Sequence, residues 1–213
     1  VRSEGRKGLP LVVDVTDHKQ VRRMVEDTLS EFGRVDILVN NAGINIRKRP
    51  EDYSMAEWDS LMNTNLRSAF MCSNAVYPHM KQSNSGKIIN IGSMLSIFGS
   101  SYASVYSTTK GGLVQLTKSL AVAWAENNIQ VNAILPGWIE TDLTAGLRGA
   151  IVLPQNQQIP NVSDVAKGIS SRIPAGRWGK PSDLSGTAIF LATYASNYVT
   201  GVSFAVDGGY SVQ

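Results

Sequence analysis

At 213 residues the chain is long enough to bury a core, and its 43% hydrophobic and 17% charged residues are ordinary for one globular domain. The formal net charge is only +3, and the single basic cluster, at 46–50, is too short to predict nucleic-acid binding. No apolar run suits a membrane span or a secretory signal, and Cys72 is the single cysteine, so we expect a cytoplasmic protein without a disulfide or metal site.

Strand and helix patterns alternate from the beginning of the chain. Residues 10–15 (PLVVDV) predict a strand. Asp17 is a candidate helix N-cap, and apolar residues then recur at spacings of three and four until Gly33, which predicts a helix. Residues 35–43 (VDILVNNAG) predict a buried strand that runs into a polar, glycine-ended turn.

The alternation continues through the middle of the chain. Ser54 and Glu57 form a candidate capping box for a helical stretch that runs towards Pro78. Residues 86–93 predict a strand and residues 103–126 a helix.

The last third repeats the pattern. Residues 129–137 predict a strand, Pro181 opens a predicted helix over about 182–194, and residues 201–209 predict a last strand. Unbroken Val/Ile/Leu strands that alternate with helices predict an α/β fold, a doubly wound parallel sheet covered on both faces.

We expect a single domain over 1–213, because the sequence contains no repeat, low-complexity tract or linker. The stretch 142–177 is rich in Gly and Pro, which favours a mobile excursion over a site.

Polar residues and glycines gather where the predicted strands end. In a doubly wound sheet, ligands bind beyond the carboxyl ends of the strands, so chemistry is expected at this edge. A single such turn is more often just a turn, but four at one edge favour a site. The residues at this edge are Asp14, Asn40, Asn41, Ala42, Gly43, Ser93, Pro136, Gly137 and Thr141.

Tyr106 and Lys110 lie four residues apart on a predicted helix, which places them on one face. This spacing is also common by chance, so the pair alone could equally be two exposed side chains on an ordinary helix. A lysine ammonium close to a tyrosine favours the phenolate and lowers the tyrosine's pKa, which produces a general acid–base. Ser93, at a strand end, could hydrogen-bond the same reacting oxygen.

Six short motifs occur in order along nearly the whole chain. They are NNAG (40–43), NTNL (63–66), IGSM (91–94), YSTTK (106–110), PGWIETD (136–142) and VTGVSFAVDGG (199–209). With these motifs the sequence resembles the short-chain dehydrogenase/reductase family, whose fold is Rossmann-like. Among its subfamilies it is most similar to sugar-acid dehydrogenases of the gluconate 5-dehydrogenase and 2-deoxygluconate 3-dehydrogenase kind.

The resemblance implies a role for each catalytic residue. Tyr106 is the general acid–base, and Lys110 lowers its pKa and binds the nicotinamide ribose. Ser93 holds the substrate oxygen. Asn65 positions a water of a proton relay and is expected at a break in its helix.

The resemblance also implies a bound NAD or NADP, a small-molecule substrate and a homo-oligomer, either a tetramer or a dimer. It makes 142–177 the substrate loop. The cofactor contacts that it implies, besides Tyr106 and Lys110, are Asp14, Val15, Asn41, Ala42, Gly43, Pro136, Gly137, Ile139 and Thr141.

One part of the family pattern is missing. The family opens with a strand and a glycine-rich turn that cradles the cofactor's pyrophosphate, whereas Gly5 and Gly8 follow no strand. The resemblance therefore implies that the family's first two strands are absent from the sequence, which would leave 10–15 without a neighbour and 35–43 with an exposed edge. Three explanations stay open: residues of the protein that the sequence omits, a truncation compensated by rearrangement or a partner chain, or a degenerate relative.

Two classes of function follow. The first is an NAD(P)-dependent oxidoreductase that interconverts a secondary alcohol and a ketone, on a sugar acid or, alternatively, a 3-oxoacyl thioester. The second is a non-catalytic paralogue that acts as a structural or interaction subunit. Arg47 or Arg148 could clamp a substrate carboxylate, although a solvated surface position is more usual for arginine. Trp138 is expected either in the substrate pocket or in the core.

Overall fold

Four strands form one parallel sheet in the computed structural model, which describes residues 4–148 and 162–212. Their spatial order follows the order in the chain, so each crossover leads to the adjacent strand. The predicted α/β fold with a parallel sheet is confirmed. The strands are β1 (Ile37–Asn40), β2 (Gly86–Ile91), β3 (Ile129–Pro136) and β4 (Ser203–Val206).

Helices connect the strands and lie on both faces of the sheet. The α-helices are α1 (His18–Phe32), α2 (Met55–Met62), α3 (Ser68–Ser83), α4 (Ser104–Trp124), α5 (Asp142–Ala145), α6 (Val162–Ser171) and α7 (Ser185–Ala192). Short 3-10 turns span Pro50–Asp52, Met94–Ser96, Ala125–Asn127, Gly146–Arg148, Pro181–Leu184, Tyr194–Ser196 and Tyr210–Val212, and a π-helical turn, Asn63–Arg67, joins α2 to α3.

The two faces of the sheet are built from alternating residues of the strands. Ile88 packs in a buried cluster with residues of α1, α3 and α4. Its neighbour Ile89 packs in another cluster, with Leu191 of α7. This alternation is the period-two geometry of a strand, and here both of its faces are apolar because helices cover both.

The predicted helix signals act as expected. The Asp17 carboxylate accepts hydrogen bonds from the first turn of α1, and Gly33 ends that helix in the left-handed conformation, at φ 78°. Ser54 and Glu57 form the predicted capping box of α2. Caps written into the sequence therefore set where these helices begin and end.

The prediction of a strand at 10–15 is wrong. These residues form no strand, and Val12 is fully exposed. A strand requires a neighbour for its backbone hydrogen bonds, and none of the described residues pairs with this segment. β1 likewise pairs with β2 alone in the described ranges, which is the exposed edge that the sequence predicts.

The described parts of 142–177 are packed. Leu147, Ile169 and Ile173 form a buried cluster with Trp178. Residues 149–161 lie outside the described residues, as does the side chain of Arg148, so the predicted substrate loop and the Arg148 clamp remain predictions. Within 4–148 and 162–212, no helix is both long and apolar enough to cross a membrane.

Candidate active site

The carboxyl ends of β1, β2 and β3 lie side by side because the strands pair in register, Asn40 opposite Asn90 and Ile91 opposite Ile134. A cavity of about 460 Å³ opens at this edge. It brings together three of the four predicted catalytic residues, Ser93, Tyr106 and Lys110. The predicted cofactor residues Asn41, Gly43, Pro136, Gly137, Ile139 and Thr141 line the same cavity.

Four predicted site residues do not line the cavity. Ala42 lies in the turn between two residues that do, and Asn65 lies behind that turn. Asp14 and Val15 are elsewhere, on the segment before α1. The Asp14 carboxylate accepts hydrogen bonds from the amide and hydroxyl of Thr16 at 2.9 and 2.7 Å, so it closes its own turn. Their cofactor contacts remain predictions.

Lys110 is buried on the face of α4 that meets the sheet. Its Nζ donates a hydrogen bond to the Ile91 carbonyl at 2.7 Å and lies 5.7 Å from the centroid of the Tyr106 ring. Burial lowers the pKa of Lys110 to about 8. A lysine that titrates in this range can change its charge near neutral pH, which is unusual for this side chain.

Tyr106 is also buried, and burial raises the pKa of its phenol above the usual value. A hydrogen bond with Ser93 and the positive charge of Arg47 act in the opposite direction and lower this pKa. We expected Lys110 to provide that influence. In the structure the Lys110 ammonium donates to the Ile91 carbonyl and also lies near the Tyr106 ring, so its effect on the pKa of the phenol remains a prediction.

Ser93 is held at the end of β2 by a short 3-10 turn. Its Oγ accepts a hydrogen bond from the Leu95 amide at 3.1 Å, while its own amide donates to Ser96 Oγ at 3.2 Å. A hydroxyl that accepts one bond keeps its proton to donate. Ser93 can therefore donate to an oxygen placed beside Tyr106.

Asn65 sits within the π-helical turn, which is the predicted break in the helix. Its Oδ1 accepts from the Ile44 amide at 2.8 Å, and its Nδ2 donates to the Ile44 carbonyl at 2.9 Å and to Thr109 Oγ1 at 3.1 Å. Both amide protons are thus donated within the protein. The side chain fastens the 41–44 turn to α4, and its place in a water relay remains a prediction.

Gly43 and Gly137 allow close approaches at the cavity. A Cβ on Gly43 would lie 3.4 Å from Asn65 Oδ1 and 3.6 Å from Lys110 Nζ. A Cβ on Gly137 would lie 2.6 Å from the Cα of Asp207, nearer than real contacts allow. Glycine at 43 therefore keeps the space beside Lys110 open, and glycine at 137 lets the ends of β3 and β4 meet.

Arg47 lines the cavity, partly buried. Burial lowers the pKa of its guanidinium, and the phenols of Tyr106 and Tyr53 raise it. Among the described residues no carboxylate forms an ion pair with Arg47, whereas the next two residues, Lys48 and Arg49, each have one. The sequence left Arg47 open between a clamp and a surface residue, and the structure places it in the wall of the site.

The segment that carries Arg47 is fixed at several points. Asn65 binds both backbone groups of Ile44, and the Tyr53 hydroxyl donates to the Ile46 carbonyl. Lys48 Nζ lies 2.6 Å from Glu57 at the beginning of α2. The arginine is therefore presented by a constrained backbone, which favours a defined ligand geometry.

Two other wall residues were not predicted from the sequence. Asn45 Oδ1 is buried without a hydrogen-bond partner in the described structure, and Tyr210 follows the final glycine pair. The Trp138 ring centroid lies 5.5 Å from that of Trp178 and 6.3 Å from that of Tyr210, so Trp138 both lines the cavity and packs in a cluster. No spacing rule in the sequence marks Asn45 or Tyr210.

The cavity fits the nicotinamide end of the dinucleotide that the resemblance implies. Gly43 leaves space beside Lys110, whose Nζ is a donor suited to a ribose hydroxyl. Asn41, Pro136, Gly137, Ile139 and Thr141 would surround the rest of that end. In 4–148 and 162–212, no group of three or more His, Cys, Asp or Glu side chains could hold a metal ion.

Comparison with known proteins gives concordant findings. A family model described as enoyl-(acyl carrier protein) reductase matches residues 1–211. The 2-dehydro-3-deoxy-D-gluconate 5-dehydrogenase of Dickeya dadantii is 44% identical over 211 residues, which cover 99% of this chain and 79% of the relative. The 3-oxoacyl-[acyl-carrier-protein] reductase of Thermotoga maritima is 37% identical over 205 residues, covering 94% and 76%. A crystal structure of a gluconate 5-dehydrogenase from Burkholderia cenocepacia, in complex with NADP and tartrate, superimposes with a TM-score of 0.89 at 38% identity and covers 100% of this chain and 78% of its own.

Proposed function

Since the chain belongs to the short-chain dehydrogenase/reductase family, which is a family of oxidoreductases, we propose that it interconverts a secondary alcohol and a ketone on a sugar acid, with NAD or NADP. The observation that supports an acid as the substrate is the position of Arg47. It contributes a guanidinium to the wall of the cavity that holds Tyr106, and it has no ion-pair partner in the described structure.

A cation in a partly buried wall favours an anionic ligand. Burying a guanidinium without a partner costs free energy of desolvation. A bound carboxylate offsets this cost by accepting two parallel hydrogen bonds from the guanidinium. Two of the relatives are named after gluconate or its 2-dehydro-3-deoxy derivative, and both compounds contain a carboxylate. The tartrate bound in the crystal structure is a hydroxy acid. These names support a hydroxylated acid as the substrate of this chain.

The side chains divide the chemistry among them. The nicotinamide supplies or accepts the hydride when it is bound. Ser93 donates a hydrogen bond to the substrate oxygen, and Tyr106 gives the proton to that oxygen or takes it, according to direction. Lys110 holds its positive charge 5.7 Å from the Tyr106 ring, and Arg47 adds a second cation, so both favour the phenolate during proton transfer.

Replacement of Arg47 tests the substrate class. We expect Arg47→Gln to raise KM for a sugar acid about tenfold to hundredfold, because a charge-assisted hydrogen bond to the carboxylate is lost, and to lower kcat as well, because the variant also loses a cation that favours the Tyr106 phenolate. Steady-state kinetics with gluconate and 2-dehydro-3-deoxygluconate, each with both cofactors, measures this.

Arg49→Gln is the matched control, because Arg49 belongs to the same basic cluster but pairs with Glu51 outside the cavity. A neutral polyol of the same length is the substrate control, and its KM should not respond to Arg47→Gln. An unchanged KM for the acid in the Arg47 variant would contradict the carboxylate clamp.

Replacement of Tyr106 tests the mechanism. Tyr106→Phe keeps the ring and removes the proton donor, so we expect kcat to fall about 10²–10⁴-fold with little change in thermal stability. Tyr102→Phe, four residues earlier and outside the cavity, is the control and should retain activity. A fully active Tyr106→Phe enzyme would exclude Tyr106 as the acid–base.

A second candidate function is reduction of a 3-oxoacyl thioester. The Thermotoga maritima relative carries that name, and apolar side chains such as Leu95, Leu143 and Leu184 occupy part of the cavity wall. An acyl thioester has no free carboxylate at the reacting end, so its KM should be insensitive to Arg47→Gln. That insensitivity, together with turnover of the thioester but not of the acids, would favour this candidate.

A non-catalytic role is the least supported alternative, since all four predicted catalytic side chains are present with the contacts described above. We also propose a homo-oligomer, a tetramer or a dimer. Exposed apolar residues on two helices, Val122 on α4 and Ile189 on α7, support association. Light scattering coupled to size exclusion measures the mass in solution, and a monomer at assay concentration would contradict the proposal.

A further inference from the structure

Thr109 lies between the two helical catalytic residues and is completely buried. Its Oγ1 donates to the Tyr106 carbonyl at 2.7 Å and accepts from Asn65 Nδ2 at 3.1 Å. A hydroxyl has one proton, so the bond to the carbonyl makes the oxygen an acceptor for Asn65. Thr109 is thereby the connection between the catalytic turn of α4 and the π-helical turn.

Through Asn65 this connection reaches the turn that borders the cavity. The remaining hydrogen bonds of the Asn65 amide go to the backbone of Ile44, at 2.8 and 2.9 Å. A Cβ on the preceding residue, Gly43, would lie in contact range of both Asn65 and Lys110, so the backbone of the turn passes close to both side chains. The orientation of the Asn65 amide is set by all three bonds together, because nitrogen must face Thr109 and oxygen must face the Ile44 amide.

We propose that Thr109 is a positioning residue, whose hydroxyl orients Asn65 and so holds the Gly43–Ile44 turn at a fixed distance from Tyr106 and Lys110. The part of the inference that concerns turnover rests on the proposed function. The part that concerns the turn rests on geometry alone. If the hydroxyl is removed, Asn65 keeps a buried amide proton without an acceptor, and the amide can rotate or withdraw.

Thr117 provides a matched control on the same helix. It too is completely buried, its Oγ1 donates to the Leu113 carbonyl at 2.8 Å, and it accepts from an asparagine, Asn90 Nδ2, at 2.9 Å. Thr117 does not line the cavity. Thr109→Val and Thr117→Val therefore remove the same chemical group in the same environment, and they differ in which asparagine loses its acceptor.

The kinetic test compares Thr109→Val, Thr109→Ser and Thr117→Val in the full chain. We expect the valine at 109 to lower kcat about tenfold to hundredfold with KM changed by less than about threefold, since small displacements of reacting groups have effects of this size. Serine keeps the hydroxyl and should restore kcat to within about threefold of the parent. Both valine variants should lose similar thermal stability, and Thr117→Val should keep its kcat.

Hydrogen exchange provides a readout that needs no substrate. The Ile44 amide donates to Asn65 Oδ1, so its exchange should accelerate about tenfold in Thr109→Val and not in Thr117→Val. If the parent protein turns over none of the acids or thioesters, the proposed function fails and this measurement still decides the role of Thr109.

Two results would overturn the inference. One is equal kcat and equal Ile44 exchange in the two valine variants, and the other is a serine variant as slow as the valine variant. Should Thr109→Val not fold, Thr109→Cys takes its place with the same expectations, because a thiol is a weak hydrogen-bond partner.

Discussion

The central strand β3 and the edge strand β1 differ in how completely they are buried. Every residue of β3 from Ile129 to Leu135 is buried, whereas β1 alternates between exposed and half-buried residues. β3 pairs with β2 and β4, while β1 pairs in the described ranges with β2 alone. The comparison teaches that apolar sequence alone does not bury a strand, and that the strand with both edges paired is the one that is buried throughout.

Matched isoleucine substitutions would measure this difference directly. Ile134 in β3 is 0% exposed and Ile37 in β1 is 44% exposed. We expect Ile134→Ala to lower the free energy of unfolding by about 2–5 kcal/mol, through lost burial and a residual cavity. Ile37→Ala should cost about 1 kcal/mol or less, because roughly half the side chain is already in water. Urea unfolding gives both values, and equal losses would show that the β1 edge is covered in solution.

Because Lys110 is buried, the stability of the folded protein should depend on pH in the alkaline range. Burial lowers the folded-state pKa of Lys110 from 10.5 to about 8. Between these values the unfolded chain binds the extra proton, so the free energy of unfolding rises with pH across that window. Below about pH 8 the folded protein carries the full cost of the buried charge, about 3 kcal/mol.

Lys110→Met removes that cost, so the variant should be more stable than the parent at pH 7, and its advantage should shrink towards pH 10.5. Thermal unfolding of both proteins from pH 7 to 10.5 measures the difference. The control is Lys19→Met, at an exposed position in the first turn of α1. It should change the free energy of unfolding by less than about 0.5 kcal/mol over the whole pH range. A Lys110→Met variant that loses stability at pH 7 would contradict the desolvation argument.

Substitution of two glycines separates a steric effect on stability from a conformational one. Gly137 follows the central strand β3, and Gly33 ends α1, the helix before the edge strand β1. Gly137→Ala places a Cβ 2.6 Å from the Asp207 backbone, so we expect a loss of about 1–3 kcal/mol and reduced kcat as the end of β3 moves. Gly33→Ala meets nothing within 4 Å but stays at φ 78°, which costs about 1 kcal/mol. Activity should survive the second change. Loss of activity in Gly33→Ala would show that the end of α1 influences the cavity.

The same comparison shows what the sequence can and cannot predict. The caps at Asp17 and Ser54 and the apolar runs of β2 and β3 predicted their elements, because these signals are local or depend on burial on both faces. Residues 10–15 carry the same apolar signal and form no strand, since pairing depends on a neighbour that a local pattern does not contain. Predicted strand and helix ends also extended beyond the observed ones, as at 201–209, where β4 is only Ser203–Val206.

The site was predictable where chemistry and spacing coincide. Ser93, Tyr106 and Lys110 meet at the cavity as the motifs predict. The direction of the Lys110 hydrogen bond and the position of Arg47 beside the phenol depend on three-dimensional packing, so the sequence did not predict that Arg47 also lowers the pKa of Tyr106. Thr109 lay inside the YSTTK motif and gave no signal, because its partner Asn65 is 44 residues away.

The smallest expected effects concern two ion pairs. One, Lys48–Glu57, lies beside the cavity, and the other, Arg23–Asp27, lies on the exposed surface of α1, the helix before β1. The Lys48 ammonium and the cap of α2 lower the pKa of Glu57 to about 2. Because the folded-state pKa is depressed from 4.5, this stabilisation is complete above about pH 4.5 and is lost as the pH falls towards 2. Glu57→Gln should therefore have a lower Tm than the parent at pH 7, and the difference should disappear in acid.

Asp27→Asn breaks the Arg23–Asp27 pair of α1, whose side chains are 76% and 36% exposed, against 17% and 23% for Lys48 and Glu57. An exposed pair is screened by water and salt, so this variant should show almost no change in Tm at any pH. Because Lys48 follows Arg47 directly, Glu57→Gln should also raise KM for a sugar acid slightly, while Asp27→Asn should not. Equal behaviour of the two variants would mean that Glu57 does not hold the Arg47 segment in place.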